Sequence, residues 1–239
     1  MDTQGPSHVF CAVGTIRSCY QQKFAIPRQP GVVPDAPAVI ELTGDAAAPE
    51  AVRELEGFSH IWVLFVFHRH VDKGWNPTVR PPRLGGNRRV GVFASRAPYR
   101  PNPIGLSVVR LHRIDYDGGG VRLHVRGGDF LDATPVLDVK PYVPYSDAIP
   151  DAHTGFAPGL QPTHEVQFTP AAETKLRTLK GDNADQIRHV IATALSYNPQ
   201  PHNTQHLSSG APLATRMFDL DIRWTVENRT IHVKTVAPA

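Results

Sequence analysis

The segment from Ser95 to Gly105, S-R-A-P-Y-R-P-N-P-I-G, combines two arginines, an asparagine and three prolines in eleven residues. The prolines exclude a helix and a central strand, so we expect a stiff loop that holds Arg96 and Arg100 apart. A planar guanidinium that is held in place pairs with two phosphate oxygens at a low cost in side-chain entropy. The loop therefore predicts contacts with phosphate groups.

The dipeptide Asn102-Pro103 in this loop suggests a second kind of chemistry. An amide oxygen beside a backbone carbonyl gives two acceptors that could align an exocyclic amino group with an electrophile. Asn-Pro is also a common turn dipeptide, and alone it indicates only a turn. Further along, Asp132 and Asp138 supply carboxylates, and Lys140 would lower the pKa of a carboxylate beside it. Such a group is more often a structural ion-pair cluster than a functional site.

Two further stretches restrain arginine with proline and glycine. Residues 24–31, F-A-I-P-R-Q-P-G, present Arg28 and Gln29, and residues 77–89, P-T-V-R-P-P-R-L-G-G-N-R-R, carry four arginines. Solubility could explain any one stretch, but a solvated charge does not need a preset backbone. Arginines on stiff loops at one edge of a barrel would form a footprint large enough for RNA.

Motifs of several other chemistries are missing from the sequence. It contains no G-x-G-x-x-G after a strand, no G-x-x-x-x-G-K-[ST] and no G-x-S-x-G. His68 and His70 lie close together but lack a third ligand at a suitable spacing, and Cys11 and Cys19 form no paired zinc motif. We therefore expect no Rossmann fold, no metal site and no disulfide.

The elements around these loops are predominantly β. The run Ser59–Phe67 is apolar throughout and predicts a strand buried on both faces. A short helix is expected over Pro49–Leu55, with proline in its first turn. Many short strands and few helices predict a barrel or a sandwich. The other predicted strands are Val9–Arg17, Ala38–Leu42, Arg89–Ala94, Leu106–Ile114, Val121–Val125 and Pro135–Val139.

The pattern changes near residue 150. Asp147–Pro162 has the composition of a linker, so we expect domains at 1–150 and 151–239. Helices are expected from Thr169 to about Lys180 and from Asn183, with Gln186 as capping-box partner, to a stop at Pro199.

The rest of this second part predicts a small α+β domain. Alternation from Phe218 to Val226, then from Ile231 to Val236, predicts a hairpin. His202–Gly210 is expected to be a mobile loop. The buried face of the second helix is expected to carry Ile187, Val190, Ile191, Ala194 and Leu195.

The composition is that of a globular protein that could bind nucleic acid. Of 239 residues, 41% are hydrophobic and 20% charged, with a net charge of +3 and a sequence pI near 9.0. These values permit an RNA partner without requiring one. We find no signal peptide and no apolar run of membrane-spanning length, so we expect a cytoplasmic protein with no membrane partner.

Six motifs in order resemble the TsaA/TrmO-like family of S-adenosylmethionine-dependent tRNA methyltransferases. The match runs through nearly all of residues 9–145 and continues more loosely to F-D-L-D-I-R-W near the end. The motifs are I-R-S-x-Y (16–20), K-F-A-I-P-R-Q-P-G (23–31), S-H-I-W-V-L-F-V-F-H (59–68), W-N-P-T-V-R-P-P-R-L-G-G (75–86), V-G-V-F-A-S-R-A-P-Y-R-P-N-P-I-G-L-S (90–107) and D-A-T-P-V-L-D-V-K-P-Y (132–142).

The resemblance implies a mainly β N-terminal domain that is a single-sheeted β-barrel, binding S-adenosylmethionine without a Rossmann fold, and a small α+β C-terminal domain for tRNA contact or dimer support. It also implies a homodimer with the cofactor near the dimer interface. By matching motifs, the expected cofactor contacts are Pro27, Arg28, Gln29, His68, Arg69, Arg96, Leu106, Leu131, Asp132, Ala133 and Thr134.

The implied substrate is N6-threonylcarbamoyladenosine, immediately 3′ of the anticodon, and the implied reaction is direct transfer of the methyl from the sulfonium to N6. The carbamoyl group delocalises the N6 lone pair and makes its hydrogen more acidic, so a general base should help. We expect catalysis and substrate placement by Asn102, Asp138, Lys140 and Tyr142, and contacts to the tRNA anticodon loop by Arg80, Arg83, Arg88, Arg89 and Arg100.

Two departures from the family pattern concern loop shape. Cys19 stands where proline is usual and Ala133 where glycine is commoner, and both affect loop shape, whereas Tyr99 is conservative because the family has phenylalanine or tyrosine there. Two other functions also fit the residues: a non-catalytic RNA-binding barrel, and a small-molecule methyltransferase on the same barrel.

Overall fold

Six antiparallel strands of the N-terminal half close into a barrel in the order β1-β2-β7-β6-β3-β8. The computed structural model describes residues 6–81, 84, 87–117, 120–157, 159–197 and 211–239. The closed antiparallel sheet confirms the predicted barrel and is incompatible with a Rossmann fold. The strands are β1 (Gly14–Ser18), β2 (Pro37–Leu42), β3 (His60–Val66), β4 (Thr78–Val79), β5 (Val90–Gly91), β6 (Ile104–Asp117), β7 (Gly120–Arg126) and β8 (Thr134–Pro141), of which β4 and β5 form a separate ribbon.

Alternation along the strands fills the barrel with apolar side chains. In β3, Ile61, Val63 and Phe65 point inward and are buried. Phe130 enters from the loop before β8 and packs edge-to-face on Phe65, with ring centroids 5.1 Å apart. The prediction that β3 is buried on both faces is wrong, because an antiparallel barrel strand keeps one face outward. Its half-buried outer residues are His60, Trp62, Leu64 and Val66.

Three predicted element boundaries in the barrel domain need correction. The strand predicted from Val9 begins at Gly14, where β2 and β8 supply partners. The strand predicted over Arg89–Ala94 is only β5, because the Ser95 amide and hydroxyl both bond to the Val92 carbonyl and turn the chain into a 3₁₀ segment. The helix predicted over Pro49–Leu55 is instead a short 3₁₀ turn, Pro49–Val52.

A four-stranded sheet with two helices forms the C-terminal part. Its strand order is β10-β11-β12-β9, and β9 runs parallel to β12. The predicted β11–β12 hairpin is confirmed, and its turn residues Asn228 and Arg229 both have positive φ. Phe218 lies in the preceding turn and not in the strand. A short helix, α1 (Pro144–Asp147), follows the last barrel strand. The elements of the C-terminal part are β9 (Glu165–Phe168), α2 (Pro170–Lys180), α3 (Ala184–Ser196), β10 (Leu213–Met217), β11 (Leu220–Glu227) and β12 (Thr230–Pro238).

The helices follow the predicted burial but not the predicted capping. The five predicted apolar residues of α3 are all buried. Asn183 has helical backbone angles and makes no cap hydrogen bond, because the chain enters α3 from a 3₁₀ turn, so the predicted capping box is wrong. Thr169 caps α2 by accepting from the Ala172 amide. The predicted stop at Pro199 and the loop His202–Gly210 lie outside the described residues.

A segment of the N-terminal part completes the C-terminal core. Cys19 and Tyr20 are buried in the cluster that contains Met217 and Trp224. Thr215 donates to the Phe24 carbonyl, and the Phe218 amide donates to the Cys19 carbonyl. The two parts of the chain therefore pack against each other through β10 and the segment after β1. Within the described part of the chain, no helix is long and apolar enough to cross a membrane.

Candidate active site

The predicted site residues gather largely at one end of the barrel, which we call the rim. The register places Ser18, Val66, Ile104 and Thr134 at this end, because β1 and β3 finish there and β6 and β8 begin there. Loops that follow or precede these residues carry most of the expected cofactor contacts. The antiparallel barrel therefore brings together segments that are far apart in sequence.

Arg96 links two of the predicted arginine loops. Its Nη1 donates to Gln29 Oε1 at 2.7 Å, across a sequence separation of 67 residues. The Gly31 amide donates to the Gly127 carbonyl at 2.8 Å and fixes the Gln29 loop to the loop before β8. In the Gln29 loop, Pro27 is buried while Arg28 faces solvent.

Arg100 braces the proline-rich loop from within. Its Nη1 donates to the Ser95 carbonyl at 2.7 Å and the Val92 carbonyl at 3.1 Å, and its guanidinium lies 5.5 Å from the ring centre of Phe93. The Asn102 side chain is exposed, and its carbonyl accepts from the Ile104 amide at 2.7 Å. One of the two acceptors expected at this dipeptide is thus already engaged in the turn.

The loop before β8 is rigid. Asp132 Oδ1 accepts from the Ser18 amide at 2.8 Å, and Thr134 Oγ1 donates to the Leu131 carbonyl at 2.7 Å. Ala133 has a φ of 60°, the left-handed conformation in which glycine is unstrained, and its amide donates to the Ile16 carbonyl. This explains why glycine would suit the position.

His68 supplies an unused buried nitrogen at the rim. Its Nδ1 lies 3.4 Å from Thr134 Oγ1, while its Nε2 is buried without a hydrogen-bond partner. Burial and the neighbouring Arg69 hold the pKa of His68 below its ordinary value, so the ring is neutral at pH 7. A buried polar atom without a partner is costly and commonly marks a ligand contact. The rim thus fits a polar ligand.

Asp129 belongs to the rim, although sequence reasoning did not single it out. Its Oδ1 accepts from Ser107 Oγ at 2.6 Å. Burial raises the pKa of Asp129, and the charge of Arg96 partly offsets that effect. The sequence feature that could have pointed to Asp129 is the preceding Gly128. A Cβ at Gly128 would lie 2.5 Å from the Phe130 ring, so a larger residue would collide with that ring.

The other predicted catalytic residues lie on the outer wall of the barrel. The register sets Leu106, Leu64 and Asp138 in one row across β6, β3 and β8, so all three face outward. Two strand spacings separate Leu106 from Asp138, or about 10 Å. Asp138 Oδ2 pairs with Lys140 Nζ at 2.8 Å, and Asp138 Oδ1 accepts from the Val139 amide.

Tyr142 lies beyond Lys140 on the same side of the barrel. Its ring contacts Trp62 and His60, with centroids 5.8 Å and 6.4 Å away. Asp138, Lys140 and Tyr142 are therefore displaced from the rim along β8 within one chain.

Three arginines that are predicted to contact RNA lie in the segment before the proline-rich loop. Arg80, Arg88 and Arg89 are exposed, and Arg89 Nη1 donates to Thr78 Oγ1 at 3.0 Å. The Val92 amide bonds to the Pro77 carbonyl, which joins the β4–β5 ribbon to the proline-rich loop. Arg83 lies outside the described residues. Among the residues that the structure describes, no cluster of three histidine, cysteine or acidic residues could hold a metal ion.

Comparisons with known proteins assign the whole chain. The family description "tRNA-methyltransferase O N-terminal domain" matches residues 15–148, and "TrmO C-terminal domain" matches residues 161–239. The "tRNA (adenine(37)-N6)-methyltransferase" of Escherichia coli K12 is 42% identical over 97% of this chain and 99% of its own length.

Two Pseudomonas aeruginosa proteins extend the likeness. RcsF, provisionally named an S-adenosylmethionine-dependent methyltransferase, is 43% identical over 91% of this chain and 92% of its own length. The crystal structure of TrmO from the same organism superposes with a TM-score of 0.80 at 37% identity and covers 97% of this chain and 99% of that one. Together with the closed barrel and its loops, these matches show that the chain belongs to the tRNA-methyltransferase O family.

Proposed function

We propose that this enzyme transfers the methyl group of S-adenosylmethionine to N6 of adenosine 37 in tRNA, and that its substrate is the N6-threonylcarbamoyl form. The observation that carries the proposal is the Arg96–Gln29 hydrogen bond, which joins two motif loops at the rim beside the Leu131–Thr134 loop. Family membership and the names of the relatives support the same chemistry.

The rim offers groups that suit each part of the cofactor. Arg69 and Arg96 are cations for its carboxylate, and the unpartnered His68 Nε2 is available for a polar atom. The buried Asp129 supplies negative charge near a cationic donor. S-adenosylmethionine itself supplies an activated methyl, so the protein's task is alignment and removal of one proton.

Asp138 is the residue we propose as the general base. Its carboxylate faces outward on the same wall as Leu106, and its Oδ2 pairs with Lys140 Nζ at 2.8 Å. A base within reach of the N6 hydrogen typically accelerates such a transfer about 10²–10⁴-fold. Tyr142 and Lys140 extend from it along β8 and could relay the proton. Asn102 is proposed to accept from the nucleobase.

We propose that the active form is a homodimer with the wall of β6, β3 and β8 at its interface. Ile104 is 38% and Leu106 49% exposed, although both are large apolar residues near the start of a paired barrel strand. Leu64 and Val66 adjoin them across β3. A second copy would cover this apolar surface and set its own wall residues opposite the rim of the first.

The proposed RNA contact uses the exposed arginines beside the rim, Arg80, Arg88 and Arg89, with Arg100 holding their neighbouring loop in shape. Arg83 remains a prediction from sequence. A tRNA substrate also implies that the enzyme works in the cytoplasm.

Nucleoside mass spectrometry of tRNA from cells with and without the protein tests this function. We expect a methylated N6-threonylcarbamoyladenosine only when the protein is present. If cells without the protein instead lacked a methyl group on otherwise unmodified adenosine 37, the substrate would be plain adenosine. Calorimetric titration with S-adenosylmethionine distinguishes the enzyme from a non-catalytic RNA-binding barrel, which would give no binding. An unchanged set of tRNA nucleosides with tight cofactor binding would indicate a small-molecule methyltransferase.

A further inference from the structure

The outer face of the β6–β7 hairpin carries a concentration of positive charge that the rim does not explain. Arg110 on β6 stands directly opposite Arg126 on β7, and Arg113 stands opposite His124. Side chains opposite each other in an antiparallel pair lie about 5 Å apart at Cβ, so the like charges of Arg110 and Arg126 destabilise the sheet there. We call Arg110, His112, Arg113, His124 and Arg126 the basic ribbon.

The far end of the same hairpin is built differently. There Asp115 stands opposite Arg122, and Arg122 pairs with Asp117. A strand surface selected only for solubility can alternate charges in this way at no electrostatic cost. The like-charge pairing is confined to the end of the hairpin nearer the rim. A negatively charged partner outside the chain would relieve this repulsion.

A β-bulge adds another residue to the ribbon. The pairing shifts between Leu111 and Arg113, so His112 is the extra residue and is exposed. The positive charge of Arg126, with smaller contributions from Arg113 and Arg110, lowers the pKa of His112. The three arginines therefore act together on one point of the surface.

Local acids offset only part of the positive charge of the ribbon. Asp115 accepts both from Arg113, at 2.9 Å, and from His124, at 2.7 Å. Asp35 is 3.7 Å from Arg126 and is shared with His189 of α3 at 3.5 Å. Arg110 has no ion pair among the described residues and is exposed.

The ribbon is continuous with the proposed active site. Gly127 follows Arg126 directly, and its carbonyl accepts from the Gly31 amide at 2.8 Å. The loop that ends at Gly31 also carries Arg28 and Gln29. An anion lying on Arg110 and Arg126 would thus be next to the rim.

We propose that the basic ribbon binds backbone phosphates of the tRNA stem that leads to the modified loop, so that the RNA crosses the rim and continues over the β6–β7 face. This inference rests on the proposed function. It adds a contact surface to the arginines already proposed to contact tRNA, and it assigns to Arg110 and Arg126 a role in phosphate binding without base recognition.

The test measures tRNA affinity against salt concentration for the double variant Arg110→Gln/Arg126→Gln, by fluorescence anisotropy. Each lost phosphate contact should make the slope of log affinity against log salt less steep by about 1, so we expect a change of about 2. Thermal unfolding should occur at the same or a higher temperature, because the substitution removes a like-charge pair. S-adenosylmethionine affinity should be unchanged.

Arg177→Gln is the matched control, since this exposed arginine of α2 lies in the C-terminal part and outside the ribbon. A double variant with the wild-type salt slope would overturn the inference while leaving the methyl transfer intact. If the wild-type protein neither bound nor methylated tRNA, the proposed function itself would fail. A slope that changes equally in Arg177→Gln would show a general charge effect and would also overturn the inference.

Discussion

Arg96 and Gln29 are hydrogen-bonded at 2.7 Å across the rim, although 67 residues separate them in the chain. The contact joins the two loops in which proline restrains an arginine, and it leaves the rest of the Arg96 guanidinium to interact with Asp129 and with a ligand. The pair therefore defines the geometry on which the proposed cofactor site depends.

Breaking this pair should weaken cofactor binding. We expect Gln29→Ala and Arg96→Lys each to lower S-adenosylmethionine affinity about tenfold, because lysine lacks the planar fork that bonds to two partners. Calorimetry on both single variants and the double variant would give the coupling, which we expect to be about 1 kcal/mol, as for one hydrogen bond. Strictly additive losses would contradict a functional pair.

Replacement of the proposed base should affect turnover and not binding. Asp138→Asn keeps the size of the side chain but cannot accept the N6 proton, so the methylation rate should fall about 10²–10⁴-fold. Cofactor affinity, measured by calorimetry, should change little. If rate and affinity fell together, Asp138 would be a binding residue. Asp185→Asn, a paired and exposed acid of α3, is the control.

The ionised carboxylate of Asp129 should destabilise the folded protein when no ligand is bound. Burial raises its pKa in the folded state above the unfolded value, so the folded protein binds the proton more tightly. Its contribution to stability is therefore favourable at low pH and is lost as the pH rises through the folded pKa. We expect Asp129→Asn to unfold at a higher temperature than wild type at pH 7, with the difference shrinking toward pH 4. It should nevertheless bind S-adenosylmethionine more weakly. A lower unfolding temperature at pH 7 would show that the carboxylate is structural.

Ala133 should respond to glycine in the opposite way to a helical alanine. A left-handed alanine is strained by about 1–2 kcal/mol, so Ala133→Gly should stabilise the fold by up to about 1 kcal/mol after the added chain entropy of glycine. Ala184→Gly, at the start of α3, should destabilise it by about 1 kcal/mol. Denaturant unfolding of both variants measures the difference. Destabilisation by Ala133→Gly would mean that the left-handed turn is not strained.

The proposed homodimer depends on the exposed apolar wall. Ile104→Lys should convert the protein to monomer and lower turnover, because a charge would have to be buried at the interface. Sedimentation velocity gives the oligomeric state. Tyr116→Lys, at a more exposed aromatic residue further along β6, should leave it unchanged. A wild-type protein that sediments as a monomer while active would refute the dimer.

Local patterns predicted a barrel or a sandwich with stiff loops, and the family resemblance selected the barrel, but neither predicted the contacts between the loops. Proline spacing identified the segment from Ser95 to Gly105 correctly, because proline excludes regular structure without tertiary context. The pairing of Arg96 with Gln29 depends on the order of strands around the barrel, which sequence periodicity does not contain. Asp129 was missed for the same reason: its hydrogen-bond donor, Ser107, lies on another strand.

The errors in the elements have similar causes. Val92 to Ala94 looks like a strand, but two hydrogen bonds from Ser95 to the Val92 carbonyl turn the chain. The strands β9 and β10 are short and gain their partners from the C-terminal hairpin. Asn183 looks like a helix cap, yet the preceding 3₁₀ turn already fixes the entry to α3.

The most direct test of the central claim is a single-turnover reaction with S-adenosylmethionine whose transferable methyl carries deuterium. Two tRNAs are compared, one with N6-threonylcarbamoyladenosine at position 37 and one with plain adenosine, and the nucleosides are analysed by mass spectrometry. The account predicts deuterated methyl on N6 of the modified nucleoside and, with S-adenosylmethionine well below its dissociation constant, about tenfold less of that product in Arg96→Lys. A methyl found elsewhere in the tRNA, or full product from Arg96→Lys, would contradict it.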